Sequence, residues 1–506
     1  MSKHEADVPA ADVLNSDEEQ YVANNGVLSV DEQKNIINDL ARDHGINQRR
    51  LMMKLDMWIV PPICLLYLLA FIDRVNISNA KVYGMAEDLN LTGTQYNTAL
   101  TIFFVPYVVC EIPSNYLLKK FRPSVWLPAC MVLFGAVMIG QGFVKNYGGL
   151  VATRFLLGLF EAGMFPGCFY LLSMWYRRDE AQKRYSFFFS STCLAGAFGG
   201  LIAYGCSQID GDRGIEGWRW IYIIEGAITV FCALLMFFVI ADFPEEARFL
   251  DENERQFLKA KLELDVGTSN HENKITLRGV FKVLADYKVI LAGLMYFGLI
   301  VPAYSYSYFS PSIIQSLNYS PVQTQLHSIP PWAASFGFSM LLAVVADKTR
   351  HRFTLAVFAT LVCIGGYIIL MATDVDFVNA RYAACFLIAC GAYTAMPLIV
   401  CWTSMNFAGH IRKSVATGFQ IGFGNIGGII ATYVFLEKDF PEYMRGLSVG
   451  IGFSIFTLLV TIVYFLSVLR ENKQKERGVV QHKWEAMSPQ EQAEAGDLDP
   501  SFRYSY

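Results

Sequence analysis

Among the charged side chains in runs that are otherwise apolar are Asp73 and Arg74 in YLLAFIDRVNIS, and Arg154 and Glu161 in RFLLGLFEAGMFPG. A charge inside such a run is costly unless it is paired or wet, so each is a functional candidate. On a helix, Arg154, Gly158, Glu161 and Phe165 recur at i, i+4, i+7 and i+11, share one face and can line a cavity. Two guanidinium groups brought together make a site for an anion, and their forked geometry suits a carboxylate. Glu161, beside an arginine in an apolar setting, is placed to exchange a proton. Structural roles are available to the same residues. Arg154 and Glu161 can form an ion pair that locks neighbouring helices, and Arg74 can pair with Asp73 at the edge of its run.

The elements that must position these residues follow from composition. The chain has 506 residues, 54% hydrophobic and 17% charged, against about 25% charged in a soluble domain. Apolar windows long enough to cross a bilayer, roughly 20 residues each, lie near 58–72, 99–118, 125–144, 150–174, 187–207 and 220–241, and again near 289–309, 329–346, 353–372, 382–402, 415–435 and 447–469. With no water in the hydrocarbon to satisfy the backbone, these segments are helices. The expected fold is an all-α membrane protein with twelve transmembrane helices, six plus six. Residues 1–54 form a polar tail, 55–242 the first six-helix bundle, 243–288 a central loop carrying a short amphipathic helix, 289–469 the second bundle and 470–506 a second tail. Lys119, Lys120, Arg122, Arg177, Arg178, Lys183, Arg184, Lys348, Arg350, Arg352, Arg412 and Lys413 outnumber the eight Lys and Arg of the opposite loops, which predicts both termini in the cytoplasm. Two glycosylation triplets, at Asn90 and Asn318, fall in loops that this topology puts outside.

The second half has no Lys or Arg within its windows comparable to Arg74, but Phe297, Val301, Tyr304 and Tyr308 share a helical face. Core packing accounts for such a stripe; set opposite an arginine, it would also suit a flat anion. In TGFQIGFGNIGGIIA the glycines permit close helix contact, while Gln420 and Asn425 require polar partners. Several classes of function are excluded. The net charge of −4 gives no electrostatic case for nucleic acid. The 11 cysteines show neither CxxC pairs nor a disulfide framework. No HExxH, GxxxxGK[ST] or GxSxG motif is present, so neither an enzyme, a metal site, a bound cofactor nor an ATP-driven pump is expected.

Taken together, DRVNISNAKVYGM, EIPSNYLLKKFRPS, RFLLGLFEAGMFPG, GWRWIYIIEG, DFPEEARFL and WTSMNFAGHIRKSVATGFQIGFGNIGG resemble the major facilitator superfamily. Within it they are most similar to the anion:cation symporters of the fungal allantoate and nicotinic acid permease branch. The resemblance implies two pseudo-symmetric six-helix bundles with substrate held between them near the midplane. It also implies that Arg74 takes the substrate anion, that Glu161 couples protons and that Arg154 is the fourth-span motif arginine. Substrate contacts are expected from Arg74, Arg154, Tyr304, Tyr308, Gln420 and Asn425. The family's loop latch is altered: Lys119 and Lys120 stand where an aspartate usually precedes a basic residue, while Asp347 and Lys348 keep the pattern in the second half. The fifth span has GAFGG in place of the Gly-Pro signature of drug/proton antiporters, which favours uptake. The expected protein is a monomeric, proton-coupled importer of a small organic anion at a plasma membrane. Nicotinate is the first expected substrate, with allantoate or other ureides, pantothenate, biotin and aromatic acids as alternatives. A nutrient receptor without net transport and an organic-acid exporter are the competing readings.

Overall fold

Each apolar run becomes a helix in the computed structural model, which describes residues 30–266, 277–349, 351–374, 376–407 and 410–479, together with 481, 484, 486–487, 497, 500 and 502–506. Among the described residues the twelve long helices are α1 (Gln48–Val82), α2 (Gln95–Lys120), α3 (Pro123–Gln141), α4 (Tyr147–Trp175, with a break at residues 162–163), α5 (Arg178–Ser207), α6 (Gly217–Val239), α7 (Tyr287–Gln315), α8 (Pro321–Thr349), α9 (Arg352–Ala372), α10 (Val378–Asn406), α11 (His410–Val434) and α12 (Met444–Glu476). Ten of them are long and apolar enough to cross a membrane. The remaining two, α2 and α11, have 26 and 25 residues, enough to span about 30 Å of hydrocarbon.

Within the first half α3 packs on α6, α2 on α4, and α1 on both α5 and α6; within the second, α9 packs on α10, α7 on α11 and α12, and α8 on α10. The halves meet along α5–α8 and α2–α11, with α1 facing α7 between these seams. Because α2 and α5 occupy the same places in the first half as α8 and α11 in the second, the two seams exchange under a pseudo-twofold axis. Both rely on backbone without side chains. A Cβ on Gly196 of α5 would stand 2.3 Å from the Trp332 indole of α8, and one on Gly428 of α11 would stand 2.2 Å from the Phe104 ring of α2.

At the end remote from the termini, the amide Nδ2 of Asn97 donates to the carbonyls of Thr432 at 2.6 Å and Phe435 at 3.2 Å, tying α2 to α11. The end that carries the termini is joined across the halves by Lys183 of α5 and Asp347 of α8, 3.5 Å apart.

The first helix extends well beyond its apolar window of 58–72. Asp73, Arg74, Asn76 and Asn79 end the hydrophobic signal, yet all are buried and the helix runs on to Val82. Arg74 therefore lies in the body of the helix and not at its edge. The polar first tail contains a helix, Val30–Asp43, whose Ile37, Leu40 and Ala41 are buried. The central loop folds as Glu252–Val266 and Leu277–Leu284. It docks on the first bundle through Lys54–Glu254 and Lys261–Glu180, each 2.6 Å.

The far C-terminal tail is also bound. Asp497 is fully buried, with Lys288 of α7 at 3.4 Å and Arg412 of α11 paired to its carboxylate. Lys475 of α12 donates to its carbonyl at 2.6 Å. Burial, then the carboxylates of Asp497 and Glu471, hold the Tyr504 phenol well above its ordinary pKa. It thus stays protonated and donates to Asp497 at 2.9 Å. Removing one partner of a buried ion cluster costs about 3–5 kcal/mol, so Asp497→Ala lowers the melting temperature of the detergent-solubilised protein. An unchanged melting curve would show that the tail does not hold these helices.

Candidate functional site

The polar continuation of α1 sets the site. One residue along a helix is a rotation of about 100°, so neighbouring Asp73 and Arg74 cannot face the same way. Asp73 turns into the first bundle, where its Oδ2 accepts a hydrogen bond from Thr229 of α6 at 3.0 Å. Arg74 turns toward the second half. Its Nε donates to Glu161 Oε1 of α4 at 2.9 Å, its Nη2 donates to the same oxygen, and its Nη1 donates to the Tyr304 hydroxyl of α7. A salt bridge between Asp73 and Arg74 is thus not what forms, and Glu161 pairs with Arg74 instead of with Arg154.

Around the guanidinium lie four rings. The Arg74 carbon Cζ is 4.8 Å from the Tyr107 centroid, 5.1 Å from Phe103, 5.7 Å from Tyr304 and 5.9 Å from Phe71. A cation near such faces is stabilised by about 0.5–2 kcal/mol each. These rings come from α1, α2 and α7, so the charge sits at the junction of the two halves. Arg74 is 1% exposed and Glu161 is fully buried. Glu161 occupies the last turn of the first segment of α4, directly before its break.

Arg154 is close by but faces elsewhere. Its Nη1 donates to the main-chain carbonyl of Arg74 at 3.1 Å, and it lies beside Tyr222 of α6. It therefore braces the backbone of α1 from within the first bundle and does not share the surface on which the Arg74 guanidinium lies. Tyr308 lies one turn from Tyr304, the two rings tilted by 33° with centroids 6.0 Å apart, and meets Phe104 edge-on. Gln420 is inside the second bundle, its Oε1 accepting from Thr403 at 2.8 Å. Asn425 lies against the carboxyl of Glu111 on α2.

Of the four latch residues, Asp347 pairs with Lys183, while Lys120 and Lys348 are exposed; the side chain of Lys119 lies outside the described residues. The sequence gives no reason to prefer Lys183 over its basic neighbours as the partner. Tyr107, Phe103 and Glu111 are further candidate-site residues to which the two arginines and the α7 stripe do not point. Their i, i+4, i+8 spacing on α2 was the available signal.

Chemically, the arrangement is a guanidinium with one carboxylate partner. Glu161 uses a single oxygen for both bonds, and its Oε2 is buried with no hydrogen-bond partner among the described residues. A second carboxylate arriving at Arg74 must compete with Glu161. Protonating Glu161 removes that competition and leaves the arginine in need of an anion.

A model of the Major Facilitator Superfamily matches residues 63–432. The chain belongs to that superfamily and is a multi-pass membrane transporter of its type. The high-affinity nicotinic acid transporter of Saccharomyces cerevisiae is 31% identical over 460 residues, 91% of this chain and 85% of that protein. An uncharacterised transporter of Schizosaccharomyces pombe is 35% identical over 458 residues, 90% of each chain. An MFS-type transporter of Penicillium expansum is 31% identical over 472 residues, 91% of each. Among solved structures, a bacterial homologue of the human lysosomal transporter Spinster, in an inward-facing and occupied conformation, superposes with a TM-score of 0.59 at 14% identity. It covers 81% of this chain and 96% of its own, and supports the fold alone.

Proposed function

We propose that this protein is a proton-coupled importer of a small organic anion, with nicotinate as the leading substrate, at a plasma membrane with both termini cytoplasmic. The observation that carries the reading is the buried Arg74, paired with Glu161 of its own half and hydrogen-bonded to Tyr304 of the other. A guanidinium offers a carboxylate two parallel hydrogen bonds, and its position between the bundles puts a bound anion where alternating access needs it. A proton arriving from outside neutralises Glu161. The substrate carboxylate then takes its place on Arg74, and Tyr304 and Tyr308 close against the substrate ring. Rocking of the halves about the α5–α8 and α2–α11 seams opens the other side, where the carboxylate leaves, Glu161 gives up its proton and the Arg74–Glu161 pair re-forms. Arg154 keeps α1 in register through the Arg74 carbonyl. The Lys183–Asp347 pair closes the cytoplasmic end in this arrangement and must part when that end opens. The likeness to a nicotinic acid transporter supports the choice of substrate.

Labelled nicotinate offered to membrane vesicles under an imposed pH gradient, acid outside, accumulates above its outside concentration, and a protonophore abolishes the excess. Unlabelled acids added one at a time rank the alternatives by competition. Binding without accumulation would favour a receptor, and loss of preloaded substrate toward the acid side would favour an exporter; either result overturns the reading.

A further inference from the structure

Glu111 is a buried carboxyl to which the pairing of Arg74 with Glu161 gives no role. It lies on α2 one turn beyond Tyr107 and two beyond Phe103, on the face that carries the rings around Arg74. It is 3% exposed, and its Oε2 has no hydrogen-bond partner among the described residues. Across the α2–α11 seam it meets two residues of one helical turn. Asn425 touches the carboxyl with its amide, and Gly422 offers it no side chain at all. A Cβ built at Gly422 would stand 3.6 Å from Oε2 and 3.8 Å from Oε1, at ordinary contact. The glycine therefore leaves that edge of the buried carboxyl uncovered by any side chain, and a buried polar group without a partner is costly. A hydrogen-bond partner on a ligand is what this place lacks.

The distance along α2 suggests which ligand. The Arg74 guanidinium rests on the Tyr107 ring, and Glu111 is four residues, about 6 Å, further along the helix. That is close to the width of a single six-membered ring. We propose that Glu111 reads the far edge of the substrate: with the carboxylate of a flat heteroaromatic acid on Arg74, the Glu111 carboxyl forms a hydrogen bond to the ring nitrogen. The carboxyl brings its own proton and donates it to the nitrogen lone pair, so no proton is taken up at this place and no covalent bond is made or broken. The site then selects nitrogen heterocyclic acids over carbocyclic aromatic acids of the same shape. This rests on the anion-import reading above.

The test compares nicotinate with benzoate, which differ only in the ring nitrogen. In cells lacking their own carrier, the wild-type protein takes up labelled nicotinate, and benzoate competes at least tenfold more weakly, since a site built to bond a polar atom rejects the analogue without it. Glu111→Leu raises the KM for nicotinate at least tenfold and leaves the inhibition constant of benzoate within a factor of about two, so the selectivity ratio collapses. Benzoate inhibition of residual uptake reports that the variant is folded. If Glu111→Leu does not reach the membrane, Glu111→Gln carries the test, with the ratio falling at least about threefold as the carboxyl O–H gives way to a weaker amide N–H donor. Wild-type uptake with an unchanged ratio in the variant that reaches the membrane, or with both acids weakened equally, overturns the role of Glu111 alone. Absence of nicotinate and benzoate transport by the wild type would instead count against the importer itself.

Discussion

Arg74→Lys reduces uptake at low substrate concentration by at least about 100-fold while the protein still reaches the membrane. The reasoning separates charge from shape. Lysine keeps a cation beside Glu161, so the buried carboxylate is not orphaned and the helices can pack as before. What it loses is the planar fork, which can bind a carboxylate through two parallel hydrogen bonds and sits over Phe103 and Tyr107. Losing one of two charged hydrogen bonds together with the ring contacts amounts to about 3 kcal/mol, or roughly 100-fold. Alanine is the poorer test. It leaves Glu161 buried without its partner, a cost of about 3–5 kcal/mol that would confuse misfolding with loss of function. Arg74→Ala combined with Glu161→Gln removes both charges and is expected to be present at the membrane yet silent. Uptake corrected for surface protein decides the matter, and near-normal transport by Arg74→Lys would remove the arginine from substrate binding.

Glu161→Gln is expected to divide transport into two parts. Glutamine can still accept a hydrogen bond from Arg74 through its amide oxygen, but it carries no exchangeable charge and no longer competes as an anion. Vesicles containing the variant should exchange labelled for unlabelled nicotinate within a fewfold of the wild-type rate. They should fail to accumulate it when a pH gradient is imposed. For one proton per substrate, each pH unit is worth about 1.4 kcal/mol. The wild type then concentrates nicotinate up to about tenfold per unit, while the variant stops at equal concentrations. Accumulation by Glu161→Gln that still follows the gradient would move the proton to another buried carboxyl, with Asp73, Glu111 and Glu225 the candidates.

Much of this was legible in the residues and some of it could not be. The twelve spans follow from hydrophobic length, and the charges that break them, Arg74 and Glu161, are those that the fold brings together. Their pairing was not readable, because it depends on how α1 and α4 rotate against each other, and sequence spacing constrains only residues on the same helix. Arg154 shares a face with Glu161 by period alone, yet packing turns it to the carbonyl of Arg74. The length of α1 was underestimated for a related reason. Asp73, Asn76 and Asn79 read as the end of an apolar window, whereas burial among neighbouring helices keeps polar residues inside a continuous one. The C-terminal tail reads as polar and outside the membrane, but Asp497 finds three cations on α7, α11 and α12, two of them in distant parts of the chain. Tyr304 was visible as part of a stripe that packing alone would explain. Its hydrogen bond from Arg74 and the cation over its ring distinguish it from the core around it.

The central claim is that substrate and Glu161 compete for one guanidinium, so that binding the anion requires protonating the glutamate. Calorimetry of nicotinate binding to the purified protein, run at one pH in two buffers of different ionisation enthalpy, measures the protons exchanged per ligand. The account predicts an uptake of about one proton for the wild type and of none for Glu161→Gln. Binding to the wild type with no proton uptake, at a pH where the free protein holds Glu161 ionised, would contradict it.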